Sequence, residues 1–276
     1  VYDERGMNLI LFLGAGVSKK SGLPLTGELT EAILRAPPPI AEGYPPDPRL
    51  PSGDQLERIQ SLLRIMAEGD TRDAKRTAVF RGPTSYEDLF YLCEEMTNWR
   101  IGLSDNSILT PFMKALERRA RRLLSGDGLD ARLNNLGLLA SHARLFIQFA
   151  ATVALRSGKP SGLDLIVELA RAERIKQLNI VTLNHDTLVE RLLADDGVDL
   201  VDGFGAADGD IRWYDDHLYD ASTATVRLFK LHGSVNWYDF HVNGLSRSGL
   251  VLRENIGVLA DHDGNPSNPG FRIHRS

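Results

Sequence analysis

Residues 9 to 13, Leu9-Ile10-Leu11-Phe12-Leu13, form an uninterrupted apolar run closed by glycines at 14 and 16. A run that short predicts a strand buried on both faces, and the polar residues after it have the spacing of a helix start. Continuous apolar character returns in "LNIVTLN", residues 178 to 184, and in "VRLFKLHG", residues 226 to 233, each ending in polar residues. Between the first strand and these two the period is helical: "QLERIQSLLRIMAE", "SYEDLFYLCEEM" with Ser85 as its N-cap, "ILTPFMKALERRARRLL", and then two more segments from Leu136 to Leu155 and from Gly162 to Ala172. Seven prolines in "APPPIAEGYPPDPRLPSGD", residues 36 to 54, forbid regular helix and central strand there, so this stretch is a loop or boundary. No internal repeat is present.

The simplest architecture for this order is α/β: a parallel sheet with helices on both faces and a large helical insertion. The core takes residues 1–35 and 176–276, and the mainly helical insertion takes 36–175. Open parallel sheets bind ligands at the carboxyl ends of their strands, and all three unusual polar sequences sit at such ends.

At 276 residues with 42% hydrophobic positions, the chain can fill a sizeable interior. No uninterrupted apolar run approaches the roughly 18 residues needed to cross a bilayer, and a cytoplasmic protein without membrane contact is expected. Net charge is −5, with a pI near 5.8, which disfavours direct nucleic-acid binding. The dense basic run Arg118, Arg119, Arg121 and Arg122 reads as a solvated helix face. Cys93 is the only cysteine; it excludes an internal disulfide and any zinc site built from several thiolates. No metal is expected.

The loop Gly14-Ala15-Gly16-Val17-Ser18 admits two readings. Glycines there let the backbone approach a pyrophosphate at the start of a helix, or they simply turn the chain after a core strand. A standard dinucleotide fingerprint would place a third glycine at position 19, where this chain has Lys19. In "IVTLNHDTLVERLL", Asp186 suits the cap of the following helix, a role compatible with ligand contact, whereas Asn184 lies outside the cap. His232 precedes Gly233 at the end of another strand, either as a structural histidine or as a general base with room for substrate beside it. Lys230 reads as an exposed strand residue.

Taken together, Gly14-Ala15-Gly16-Val17-Ser18, Thr182-Leu183-Asn184-His185-Asp186 and Leu231-His232-Gly233 resemble, in order and spacing, the nicotinamide-dinucleotide site of the sirtuin superfamily. The likeness covers residues 8 to 35 and 176 to 238. It is strongest to the sirtuin-like NAD-hydrolysing domains of prokaryotic antiphage defence, in which a "DGFG" like Asp202-Gly203-Phe204-Gly205 precedes a "KLHGS" like residues 230 to 234; "SYEDLFYL" in the helical middle also looks like that branch. The resemblance implies a Rossmann-like NAD-binding core. It places Gly14, Ala15, Gly16 and Ser18 around the pyrophosphate, and puts Thr182, Asp186, Gly233 and Ser234 in the cofactor site, with Asp186 on the nicotinamide carboxamide. Asn184 would contact the nicotinamide ribose and position water, and His232 would act on the ribose hydroxyls or an attacking water. Leu183 stands where deacylating sirtuins have glutamine, and His185 where they have isoleucine.

NAD is thus expected as substrate, cleaved to nicotinamide and ADP-ribose, and the missing thiolates of a deacylase zinc ribbon favour water as acceptor. Partners implied by the resemblance are a second copy of the chain or an effector or sensor protein that releases NAD depletion on infection. Two alternatives stay open: a protein deacylase or ADP-ribosyltransferase, and a non-catalytic sensor of NAD or an ADP-ribose derivative. After Trp237 the family's later strands and adenosine-binding segment are not recognisable beyond the hairpin signal "SGLVLRENIGVL", so a region beyond Ser276 and a larger effector are expected.

Overall fold

The computed structural model describes residues 6–35, 51, 53–68, 84–100, 110–120, 136–208, 211–241 and 248–253. In chain order they form β1 (Met7–Leu13), a 3-10 helix (Ala15–Ser21), α1 (Thr26–Arg35), α2 (Asp54–Glu68), α3 (Tyr86–Arg100), α4 (Thr110–Ala120), α5 (Leu136–Arg156) and α6 (Asp164–Arg171). There follow β2 (Ile175–Thr182), α7 (Leu188–Asp195), β3 (Leu200–Val201), β4 (Phe204–Asp208), β5 (Ile211–Tyr214), α8 (Leu218–Ala221), β6 (Val226–Lys230), β7 (Trp237–His241) and β8 (Ser248–Arg253). Residues 1–25 with 155–276 make one compact unit and residues 26–154 a second. Most of the proline-rich stretch, Arg121 and Arg122 of the basic run, and the chain after Arg253 lie outside the described residues.

The fold is α/β, with a four-stranded parallel sheet in the order β1-β2-β6-β3 and helices on both faces. Residues two apart along a strand point to the same face, and Leu178, Ile180, Val226 and Leu228 bury that face against Leu163 and Ile166 beside and on α6, and Leu188, Val189 and Leu193 on α7. Each such aliphatic side chain contributes roughly 1.5–3 kcal/mol by leaving water. On the other face Tyr219 of α8 stacks on Phe229 at 4.5 Å, and its hydroxyl donates to the Leu228 carbonyl at 2.9 Å. Burial raises the Tyr219 phenol above its ordinary range, so it stays a donor.

Two expectations for the first strand are corrected. β1 is an edge strand: Leu9 and Leu11 are half-buried and Leu13 is buried, but Ile10 and Phe12 on the opposite face are 58% and 75% exposed. An unbroken apolar run does not distinguish burial on one face from burial on two. The segment after it is a seven-residue 3-10 helix, not the first turn of a long α-helix; it stops where Gly22 takes a left-handed conformation and donates to the Lys19 carbonyl at 3.1 Å, just before Pro24.

A second, antiparallel sheet, β4-β5-β8-β7, follows in the same unit. Asp202 at its entry is buried and makes a two-pronged ion pair with Arg212, at 2.8 and 2.9 Å, while accepting the Phe204 N–H at 3.1 Å. A side chain on Gly203, whose φ is +82°, would strike the rings of Tyr214 and Tyr219. Asp202 and Gly203 of the "DGFG" segment are therefore explained by folding alone.

The helical unit supplies its own anchors. Ser85 and Asp88 form a reciprocal cap at the start of α3, the Ser85 N–H donating to the Asp88 carboxylate at 2.9 Å and the Asp88 N–H to the Ser85 hydroxyl at 3.1 Å. Cys93 on α3 is buried, and burial pushes its thiol up to about 12. Among the described residues, α5 is long and apolar enough to cross a bilayer by length and composition, and half of its most apolar stretch is buried. Counting only uninterrupted apolar runs passes over it, because His142, Arg144 and Gln148 break the run.

Candidate nucleotide site

Register brings the three sequence signals together. Leu13 of β1 pairs with Thr182 of β2, and Thr182 pairs with Lys230 of β6. The three parallel strands therefore end at one level, so Gly14, Asn184 and His232 emerge side by side at their carboxyl ends. Neighbouring strands lie only about 4.8 Å apart, which makes that edge compact.

The first two strand ends are tied by a hydrogen-bond network. The Thr182 hydroxyl donates to the Leu13 carbonyl at 3.1 Å and accepts the Asn184 N–H at 3.0 Å. The Asn184 amide nitrogen donates to the Gly14 carbonyl at 3.1 Å and to the Ser18 hydroxyl at 3.0 Å, and Ser18 in turn donates to Asp186 Oδ2 at 2.7 Å. Asp186 Oδ1 accepts the Leu188 N–H at 3.1 Å, the expected hold on the start of α7, delivered from one residue before the Thr187 cap position. Both donors of the Asn184 amide are spent inside the chain, which leaves its carbonyl oxygen as an acceptor. The hydroxyls of Ser18 and Thr182 are likewise committed and buried.

The glycine loop is open. Gly14 is extended, at φ −114° and ψ 176°, and an added Cβ at Gly14 or Gly16 would meet nothing within 4 Å. Neither backbone conformation nor packing requires glycine at these two exposed positions. The first intrahelical bond runs from the Val17 N–H to the Gly14 carbonyl at 3.1 Å, so the N–H groups of Ala15 and Gly16 precede any helical acceptor. Gly14, Ala15 and Gly16 thus form a bare, exposed stretch of backbone beside Asn184.

The turn after β6 is held from within. Gly233 has a φ of +81°, a conformation that favours glycine, so its place beside His232 has a backbone cause. Ser234 is buried with its hydroxyl donating to the His185 carbonyl at 3.2 Å, and the Val235 N–H donates to the same carbonyl at 2.9 Å. His232 remains exposed at the tip.

Lys230 is not an exposed strand residue. Its side chain is 3% exposed, and its ammonium pairs with Glu190 of α7 at 2.8 Å and donates to the Asp186 carbonyl. The sequence signal was available: Lys230 has the parity of Val226 and Leu228 along β6, the core face. Ser18, Thr182, Asn184, Asp186, Glu190 and Lys230 line a crevice under the loop with room for about one water molecule.

The expectation of a metal-free site is overturned. His185, buried, and His232, exposed, stack at a tilt with ring centroids 6.2 Å apart, and a ring nitrogen of each lies within 4.8 Å of the other. Two imidazoles so placed are a candidate metal-binding pair. The expectation rested on the missing thiolates and on an expected reaction that needs no metal, and nitrogen ligands escape both arguments.

No family model matches the chain, and no curated protein matches it.

Proposed function

We propose that the chain hydrolyses NAD to nicotinamide and ADP-ribose, as an effector of the antiphage-defence type that its motifs resemble. The observation that carries the reading is the bare Gly14-Ala15-Gly16 backbone beside Asn184, whose amide nitrogen is held by the Gly14 carbonyl and the Ser18 hydroxyl, at one level with His232. Glycines that the fold does not need are accounted for by a ligand pressing on them. Exposed backbone N–H groups suit a pyrophosphate, and an asparagine acceptor suits a ribose hydroxyl or a water.

In this scheme the network through Ser18 and Asp186 fixes the Asn184 amide, so that its oxygen orients the nicotinamide ribose or the attacking water. His232 accepts the proton that water loses as it bonds to the ribose C1′, while the nicotinamide–ribose bond breaks and nicotinamide leaves with the bonding electrons. Asp186, with both oxygens already holding Ser18 and α7, acts first as the anchor of this arrangement; any bond to the nicotinamide carboxamide uses its remaining lone pairs. An enzyme that can exhaust NAD must be quiet at rest, so activity is expected to rise on self-association or partner binding in the cytoplasm.

The test is nicotinamide release by the wild type against Asn184→Ala and His232→Ala, with NAD affinity measured calorimetrically. Loss of a general base costs about 10²- to 10⁴-fold in rate, and both variants should lose turnover while His232→Ala still binds NAD. Unchanged turnover in either variant overturns the assignment.

A further inference from the structure

We propose that His185 and His232 form a two-imidazole site for a transition-metal dication of the zinc class, and that the bound ion switches hydrolysis off. The two residues come from neighbouring strand ends, β2 and β6, aligned by the pairing of Thr182 with Lys230. His185 is buried, and its backbone carbonyl is held by both the Ser234 hydroxyl and the Val235 N–H. It is a fixed ligand. His232 is exposed on the turn that follows β6.

Zinc–nitrogen bonds of about 2.0–2.1 Å place two ligands of a tetrahedral ion about 3.3 Å apart. The observed nitrogens lie within 4.8 Å of one another, so a rotation of the exposed His232 ring closes the remaining gap. Imidazole nitrogens suit zinc, nickel, cobalt and copper, whereas magnesium and calcium prefer oxygen. A metal binds the neutral imidazole through the same kind of lone pair that would take a proton. If it takes the lone pair that serves as base, His232 cannot act while the ion is there.

The inhibitory half of this proposal rests on the hydrolase reading; the binding half does not. Chelator-treated full-length chain is titrated with cobalt(II), followed by its visible absorption and by calorimetry, and nicotinamide release is measured in parallel with zinc(II). Removal of even an outer partner of a metal ligand costs about 10- to 100-fold in affinity, so His185→Gln should weaken cobalt binding at least tenfold and move the zinc inhibition midpoint by the same factor, with metal-free turnover unchanged. His232→Gln, at an exposed position, should weaken cobalt binding similarly and guards against a folding defect in the buried variant. Equal cobalt affinity in the wild type and both variants overturns the site. Cobalt binding that depends on both histidines, with zinc leaving turnover untouched, overturns the switch. A chain that binds cobalt through the pair yet never hydrolyses NAD overturns the hydrolase reading and leaves the site standing.

Discussion

Lys230→Met should be among the most damaging single changes to the sheet unit, because it strands a carboxylate. The Lys230 side chain is 3% exposed and that of its partner Glu190 17%, so the pair is nearly dry. Removing one member of a buried pair costs about 3–5 kcal/mol, and the residual solvent access of Glu190 selects the low end, about 3 kcal/mol. The Asp186 carbonyl also loses a donor, worth about 1 kcal/mol. Together these lower the melting temperature by roughly 8–16 °C for a domain of this size. Trp213 and Trp237 lie in the sheet unit and Trp99 in the helical one, so the melt is followed by tryptophan fluorescence in a Trp99→Phe background. Lys230→Met combined with Glu190→Leu removes both charges and should recover most of the loss, since apolar replacement of a buried pair is often neutral or stabilising. A single variant that loses less than about 1 kcal/mol, or a double variant that falls as far as the single one, refutes the reasoning.

Other consequences are equally direct. Gly16→Ala meets open space, so unfolding free energy should hold or rise by up to about 1 kcal/mol while NAD affinity drops; a destabilised variant with normal affinity would contradict the ligand-facing loop. Cys93, whose thiol burial pushes up to about 12, should resist iodoacetamide between pH 7 and 9 in the folded chain and react once it is unfolded; rapid labelling of folded protein argues against the packing of α3. Burial lowers the His142 imidazole below its ordinary 6.5, so the unfolded chain takes up that proton first. The corresponding stability is complete above pH 6.5 and lost as pH falls through the lowered folded value. His142→Gln should flatten that acid limb in denaturant titrations.

The parallel core was legible because each of its main strands carries contiguous apolar residues and ends in polar ones: β2 and β6 announce Asn184 and His232 without help from tertiary structure. Ser85 was legible for a similar local reason, a hydroxyl three residues before an acid that can reach back. The antiparallel sheet was legible only at β8, the first half of the hairpin signal "SGLVLRENIGVL", whose second half lies outside the described residues; β4 and β5 are five and four residues long, and a glycine interrupts β4. The length of the helix after Gly14 escaped because the left-handed stop at Gly22 depends on local backbone geometry. Pairing of His185 with His232, and of Lys230 with Glu190, depends on strand register and on α7 folding back, and neither is written in any local window. Gly233 and Gly203 carry the opposite lesson, as both stand inside motif-like segments for reasons of backbone and packing.

Product analysis of purified chain with NAD, alone and with an acetyl-lysine peptide, tests the central claim most directly. The account predicts nicotinamide and ADP-ribose in equal amounts without peptide, and no acceleration when the peptide is added. Nicotinamide released only with the peptide, together with acetylated ADP-ribose, would contradict hydrolysis and make the acceptor a protein.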